Sequence, residues 1–533
     1  MHVTEVKQHA APAKQEFLHG EAIPVRFAKN DPDDPAEGWS KWKRYRALAL
    51  AMAVTYTSAF NATANGAASG GFRADHPGVS AIEFQTSSFA YLVMLGIGPL
   101  VLAPVSETFG RRPQIVLCLI VITILFIGQA LAPNIACLSV LRFIQGTAAS
   151  IEGPVAAGVV ADLWPKRTRG PAMSIFVLTV FTANGTGPLC ANWIAQKTTW
   201  HWVYWVQIIS HAVVTVLCIF AFPEPRGDVI LAKRCKRLTQ ETGKPHYVEG
   251  GEHFEGWGEA LKVSCLRPLN YLFTEPIVTA LSLYAGFAWG MVFLFVGKSS
   301  LFGSTLPSPT LLSILSFLPF PCAIAHVFQE TYGFSQGQAG TVLVCGAIGA
   351  ALSCIVFNLT AERIFQRALI KGHGKAKPEI RLYAPAIGGI LFSAGAFAFA
   401  WTARSWIHWI VPCIFIVVFN MGIYTIYLAT YLYLGDVYDK YSSSAQASQG
   451  LLRNVLGAVF PFFGNIMYDK LTFPWASTLV GFLAGAFAIV PWVLIFYGER
   501  IRAKSRVAIQ MEMQEGEILA DEPAPQMTEV EMP

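Results

Sequence analysis

The residues of this chain that could do chemistry are the few polar and ionisable ones set inside long apolar runs. Such groups are costly in hydrocarbon unless they face a cavity or a partner, so each marks either a function or a permanent pairing. Arg142 and Gln145 lie one turn apart in the run 137–160, and Glu152 follows ten residues after Arg142, about 15 Å deeper at 1.5 Å per residue. A carboxyl group at mid-membrane is the simplest group that a proton could load, and its alternative is a lasting pair with a neighbouring helix. Asn420, Tyr424, Tyr427 and Tyr431 recur at i, i+4, i+7 and i+11 and share one helix face. That stripe could stack on and hydrogen-bond a bulky substrate in a cavity. The same spacing also serves packing or anchoring at a membrane interface. Arg453 and Asn454, inside the run 445–467, pose a choice between gate contact and substrate ligand. The sequence carries no Walker A pattern, no metal-ligand spacing and no nucleophile triad, so no catalytic residue, metal or cofactor is expected and the chain does not read as an enzyme.

Composition places these residues in a bilayer. Hydrophobic residues make up 53% of the 533 and charged ones 14%, with a mean hydropathy of +0.45. That is too apolar for a soluble domain of this length. Ten cysteines are scattered through the apolar runs without CxxC or Cys/His spacing and read as reduced, buried side chains. The net charge of +5 carries no nucleic-acid reading, because the basic residues collect in particular loops.

A span needs about 20 mostly apolar residues. Candidates fall at 47–67, 86–105, 114–132, 137–160, 172–194 and 202–222, then at 276–296, 338–358, 383–402, 406–430, 445–467 and 474–497. The expected fold class is therefore an all-α membrane protein of two six-helix bundles, 45–222 and 275–498. They are flanked by an N-terminal tail (1–44) and a C-terminal tail (499–533) and joined by a polar linker (223–274). Lys and Arg cluster at 111–112, 166–169, in the linker, at 363–381 and at 500–506, so both tails and the linker are expected in the cytoplasm. The stretch 297–322 adds apolar length after the seventh span; counting part of it as a thirteenth would put the basic 361–381 segment outside. Asn61-Ala-Thr63 and Asn184-Gly-Thr186 match the glycosylation sequon but lie within spans and are discounted.

GPLVLAPVSETFGRRP (98–113) ends the second span in Glu107, Gly110, Arg111 and Arg112, a tight turn with an acid and two bases at the membrane face. Simple anchoring to headgroups explains the arginines but not Glu107, so this turn is expected to pair across the bundle interface and hold a gate, with Arg453 as a second gate residue. Glu362, Arg363 and Arg367 hold the equivalent place after the eighth span, a weak echo between the halves. Repeated halves with a midplane site between them are an architecture of secondary transporters.

Together with LRFIQGTAAS (141–150), ADLWPKRTRGPAMSIF (161–176), Gly187-Pro188, WHWVYWVQII (200–209), PEPRGDVILAKRCKRLTQETG (223–243), RPLNYLFTEPIV (267–278), YGFSQGQAG (332–340), LGDVYDKYSSSAQASQGLLRN (434–454) and GERIRAKSR (498–506), that turn resembles the major facilitator superfamily. Within it, the chain is similar to the twelve-span drug:proton antiporters of fungi, which include multidrug and polyamine exporters. The resemblance covers roughly 40–506. It implies the major facilitator fold and proton-coupled efflux of a small organic molecule, such as a secondary metabolite, drug-like compound or organic acid, by alternating access. An importer or polyamine transporter of the same superfamily is the alternative. It also implies a role for Arg142 in proton movement, with protons and the lipid bilayer as the other partners, while Gln145, Asn420, Tyr424, Tyr427 and Asn454 are the cavity candidates that residue type and spacing mark. A monomer in the plasma membrane is expected, ahead of the vacuolar membrane. Two features depart from the family. The antiporter motif on the fifth span keeps only its central Gly187-Pro188, and the family's Gly and Arg in the loop motif stand here as Ala103 and Thr108. The 297–322 stretch is the other, and it reads as a retained intron or as an extracellular loop.

Overall fold

The computed structural model describes residues 23–28, 31–165, 168–248, 257–296, 323–372, 376–438, 442–503 and 505. A short strand β1 (Ile23–Val25) is followed by helices α1 (Lys41–Ala64), α2 (Ala81–Phe109), α3 (Arg111–Ala130), α4 (Ile135–Ala149), α5 (Glu152–Leu163), α6 (Arg169–Lys197) and α7 (His201–Ala221). Then come α8 (Gly227–Thr242), strand β2 (His246–Val248) and α9 (Trp257–Thr274). The second half holds α10 (Pro276–Val296), α11 (Ala323–Tyr332), α12 (Gln336–Val342), α13 (Val344–Ser353), α14 (Leu359–Lys371), α15 (Tyr383–Thr402), α16 (Ile410–Tyr438), α17 (Ser442–Phe487) and α18 (Ile489–Arg502). Among the described residues ten helical segments are long and apolar enough to cross a membrane, and α1 and the first part of α17 are not among them.

Helix starts are written in the sequence. Ser40 accepts from the Lys43 N–H at 3.3 Å, Ser80 and Glu83 form a reciprocal capping box, and Asn134 caps α4 through the Cys137 N–H at 2.8 Å. Within the first half α2 packs on α4, α3 on α7 and α1 on α6; within the second, α10 packs on α17 and α16 on both α13 and α15. The halves meet where α2 lies against α17 and where α6 lies against α12 and α13.

Three local features are set by the fold. The fourth span, Ile135–Leu163, has a break in its helical hydrogen bonding: α4 ends at Ala149, Ser150 and Ile151 form a turn with helical backbone angles, and α5 starts at Glu152. Pro154 has no N–H to offer the Ser150 carbonyl, which explains the break. The eleventh and twelfth apolar runs are joined by Thr472, whose left-handed φ of 62° sits directly before Phe473-Pro474. Finally, the end of the tail is tied to the linker. β1 pairs in parallel with β2 of the linker, Val25 packs with Leu231 and Cys235, and Arg234 bonds Asp31 at 2.6 Å and Asp33 at 2.8 Å. The 297–322 stretch lies outside the described residues, bracketed by α10 and α11.

Candidate functional site

A cavity of about 1130 Å³ lies between the two halves. Its deep end is walled by Asn184 of α6, Trp289 and Phe293 of α10, Tyr427 and Tyr431 of α16, and Arg453 of α17. Its mouth is lined by Arg169, Arg267, Lys233 and Lys236 together with Phe27, Asp34 and Val248 from the tail and linker. The other end is shut. The Gln336 side chain donates to Asn192 Oδ1 at 3.2 Å, the Gly337 N–H to Gln196 Oε1 at 2.6 Å and Trp193 Nε1 to Thr341 Oγ1 at 3.0 Å. Gly340 makes this closeness feasible, since a Cβ there would meet the Pro188 carbonyl oxygen at 2.8 Å. The molecule is thus open at the basic end and sealed at the opposite one.

The deep end is polar beneath an aromatic lining. Arg453 Nη1 donates to the hydroxyl of Tyr427 and to that of Tyr431 at 3.0 Å. Its guanidinium sits 5.3 Å from the Trp289 ring and 4.9 Å from that of Tyr427. Arg453 Nε, Trp289 Nε1, Asn454 Oδ1 and both side-chain polar atoms of Asn184 have no hydrogen-bond partner among the described residues. Asn454 is tied to α2 through the Leu95 carbonyl at 3.3 Å. Pro188 leaves the Asn184 carbonyl without its helical donor. Gly187 serves close packing, with a Cβ there meeting Thr63 Oγ1 at 2.5 Å.

Of the residues singled out from sequence, Tyr427, Arg453 and Asn454 line the cavity, whereas Gln145, Asn420 and Tyr424 do not. Asn420 donates to the Ile416 carbonyl of its own helix at 2.9 Å and packs on Gly346 and Gly349. Tyr424 spans the halves by donating to the Ser174 carbonyl at 3.1 Å. A four-residue stripe at helical spacing covers a broad arc once α16 is wedged between several helices, so only part of it meets the cavity. Gln145 belongs to a cluster inside the first half, where Arg142 Nη1 donates to Asn61 Oδ1 at 2.5 Å and to Gln145 Oε1 at 3.1 Å. The Tyr91 ring lies 4.2 Å from that guanidinium. Glu152 lies at the first turn of α5, buried beside Ser58, and its carboxyl oxygens have no hydrogen-bond partner among the described residues. A helix N-terminus favours an acid, which is one physical reason the break falls here.

Gly110 has a φ of 100°, and the Glu224 carboxylate beneath it accepts the backbone N–H groups of Arg111 and Arg112, each at 3.0 Å, at the start of α3. Arg111 donates to Asp162 at 2.5 Å, and Arg112 donates to the Ile219 carbonyl at 2.8 Å. These contacts run to α5, α7 and the first residues of the linker. The Glu107 side chain lies outside the described residues. The second half repeats the pair, with Arg381 bonded to Asp436 at 3.1 Å and to Glu362 at 2.6 Å. A Cβ on Gly170 would meet Glu362 Oε2 at 2.1 Å, so this cluster also touches the first half.

Sequence reasoning missed Trp289, Asp162, Glu224 and the functional placement of Asn184 and Asn61. The two asparagines were legible as polar residues inside apolar runs. The others needed the fold.

Two helical bundles around a shared central cavity, open at one end and sealed at the other, define a membrane carrier. A family model described as Major Facilitator Superfamily matches residues 48–461, and the chain belongs to that family. It is 30% identical to the efflux pump radE of Floropilus chiversii over 489 residues, covering 90% of this chain and 85% of that protein. It is 32% identical to the MFS-type efflux pump MFS2 of Trichophyton rubrum over 488 residues, covering 91% and 77%. The solved structure of the human organic anion transporter MFSD10 (TETRAN) superposes with a TM-score of 0.53 at 15% identity, over 85% of this chain and 99% of that one, a likeness of fold alone. The chain is a multi-pass membrane transporter of small molecules.

Proposed function

We propose that this transporter exports a small organic molecule from the cytoplasm in exchange for protons, by alternating access of the cavity between the two halves. The observation that carries the reading is the cavity between the halves, open at the basic end and sealed where α6 meets α12, since basic loops mark the cytoplasmic side. The relatives named as efflux pumps support the direction. Both tails are then cytoplasmic, the working unit is a monomer and the membrane is the plasma membrane.

Proton coupling is assigned to Arg142 and Glu152. They sit in one bundle, behind the cavity wall, where Ser58 lines the cavity and adjoins Glu152. An ionisable group held away from water and from a cation can exchange a proton only as the surrounding helices move, which links its occupancy to the conformational cycle. The test is Glu152→Gln in proteoliposomes. Transport driven by an imposed pH gradient should be lost while substrate counterflow persists; an unchanged pH dependence refutes the assignment.

A further inference from the structure

Resting on the reading of the central cavity as the transport site, we infer that the substrate is an aromatic organic anion, its acid group bound by Arg453 and its ring system by Trp289, Tyr427 and Phe293. Arg453 is a buried guanidinium that stays charged in proteins. Its partners in the structure are two neutral tyrosine hydroxyls, and Nε has none among the described residues. A buried cation without a counter-charge is unfavourable, because desolvation is not offset by an opposite charge. An anionic ligand would relieve that cost, and a cationic one would deepen it.

The carboxylates that line the cavity do not change this balance. Asp162 is bound to Arg111, Asp436 to Arg381 and Asp228 to Arg226, all at the mouth, while Asp34 accepts its own turn's Ala36 N–H. The deep end has no lining carboxylate among the described residues. Nearer the entrance, Arg169, Arg267, Lys233 and Lys236 would draw anions in.

Shape points the same way. Trp289 and Tyr427 lie 5.1 Å apart, tilted by 30°, and Phe181 packs against both at 6.0 and 5.9 Å. Trp289 and Tyr427 also lie beside the guanidinium, whose Nη1 is taken by the two tyrosine hydroxyls and whose Nε is left for a charge-assisted contact with a carboxylate. Trp289 Nε1 and the Asn184 amide, both buried and unpartnered, offer further hydrogen bonds to oxygen substituents on the ring. A polyamine would find neither a counter-charge nor use for the aromatic walls.

The experiment measures equilibrium binding of 2-naphthoate, 2-naphthamide and 2-naphthylmethylammonium to the full-length protein in nanodiscs; the three share a shape and differ in charge. The expected order is naphthoate at least tenfold tighter than naphthamide, with the ammonium weakest. Arg453→Gln should erase the preference by weakening naphthoate at least tenfold while leaving naphthamide within twofold. Arg453→Lys, which keeps the charge without the guanidinium, should fall between. Equal or tighter binding of the ammonium overturns the anion assignment but leaves the cavity as a binding site. So does a parallel loss of naphthoate and naphthamide in Arg453→Gln. Binding of none of the three by folded protein removes the cavity reading itself, and the proposal with it.

Discussion

Substituting Gly340 by Val should force open the sealed end of the cavity. The added Cβ would meet the Asn192 side chain and the Pro188 carbonyl oxygen, each at 2.8 Å, and the latter is backbone that cannot rotate away. Overpacking of this kind costs about 1–3 kcal/mol. Separating α6 from α12 would also break the Gln336–Asn192 hydrogen bond, worth about 1 kcal/mol. The closed seam is thereby destabilised by about 2–4 kcal/mol, which multiplies the ratio of open to closed populations at this end roughly 30- to 1000-fold. Spin labels placed on α6 and α12 in a cysteine-free background would report this as a longer distance population in pulsed electron resonance. Because binding from the basic end requires the present state, export should slow as that population grows. If the labels keep the parent distance in a protein that folds and elutes normally, the seam is not a two-state element and the reasoning fails.

Other outcomes follow from the same geometry. Asp162→Asn leaves Arg111 buried without its carboxylate, and since the pair's side chains are 8% and 15% exposed, a double-mutant cycle on Arg111 and Asp162 should give a coupling of about 2–3 kcal/mol in thermal unfolding; a value near zero would show that Glu224 suffices to hold the turn. At the tail, the Arg234 guanidinium beside Asp31 holds its carboxyl down at about 2 from an ordinary 3.8. A carboxylate depressed in this way contributes stability above about pH 4 that is lost as pH falls toward 2, on the order of 1–2 kcal/mol after solvent screening. Asp31→Asn at neutral pH should therefore raise hydrogen exchange at β1 and β2 by about tenfold, and unchanged protection would mean that the strands hold without the pair.

The sequence by itself determined the bilayer, the long apolar helices and the basic loops, because apolar run length and charge asymmetry are local properties that lipid and water read directly. It also marked the expensive residues: Arg142, Glu152, Arg453 and Asn454 stand out in apolar surroundings whatever packs around them. Tertiary structure alone decided which of these share a space. Arg453 gained an aromatic cradle from Trp289, a residue some 160 positions away that no local pattern ties to it. Tyr427 and Tyr424, one turn apart on α16, parted because one meets the cavity and the other meets Ser174 across the seam. The Gly110 turn, legible as a charged stop, acquired its partners Asp162 and Glu224 only when α3, α5 and the start of the linker came together. Charge and hydropathy fix where a residue lies along the membrane normal. The azimuth of each helix, and hence what its side chains face, is set by packing against distant helices.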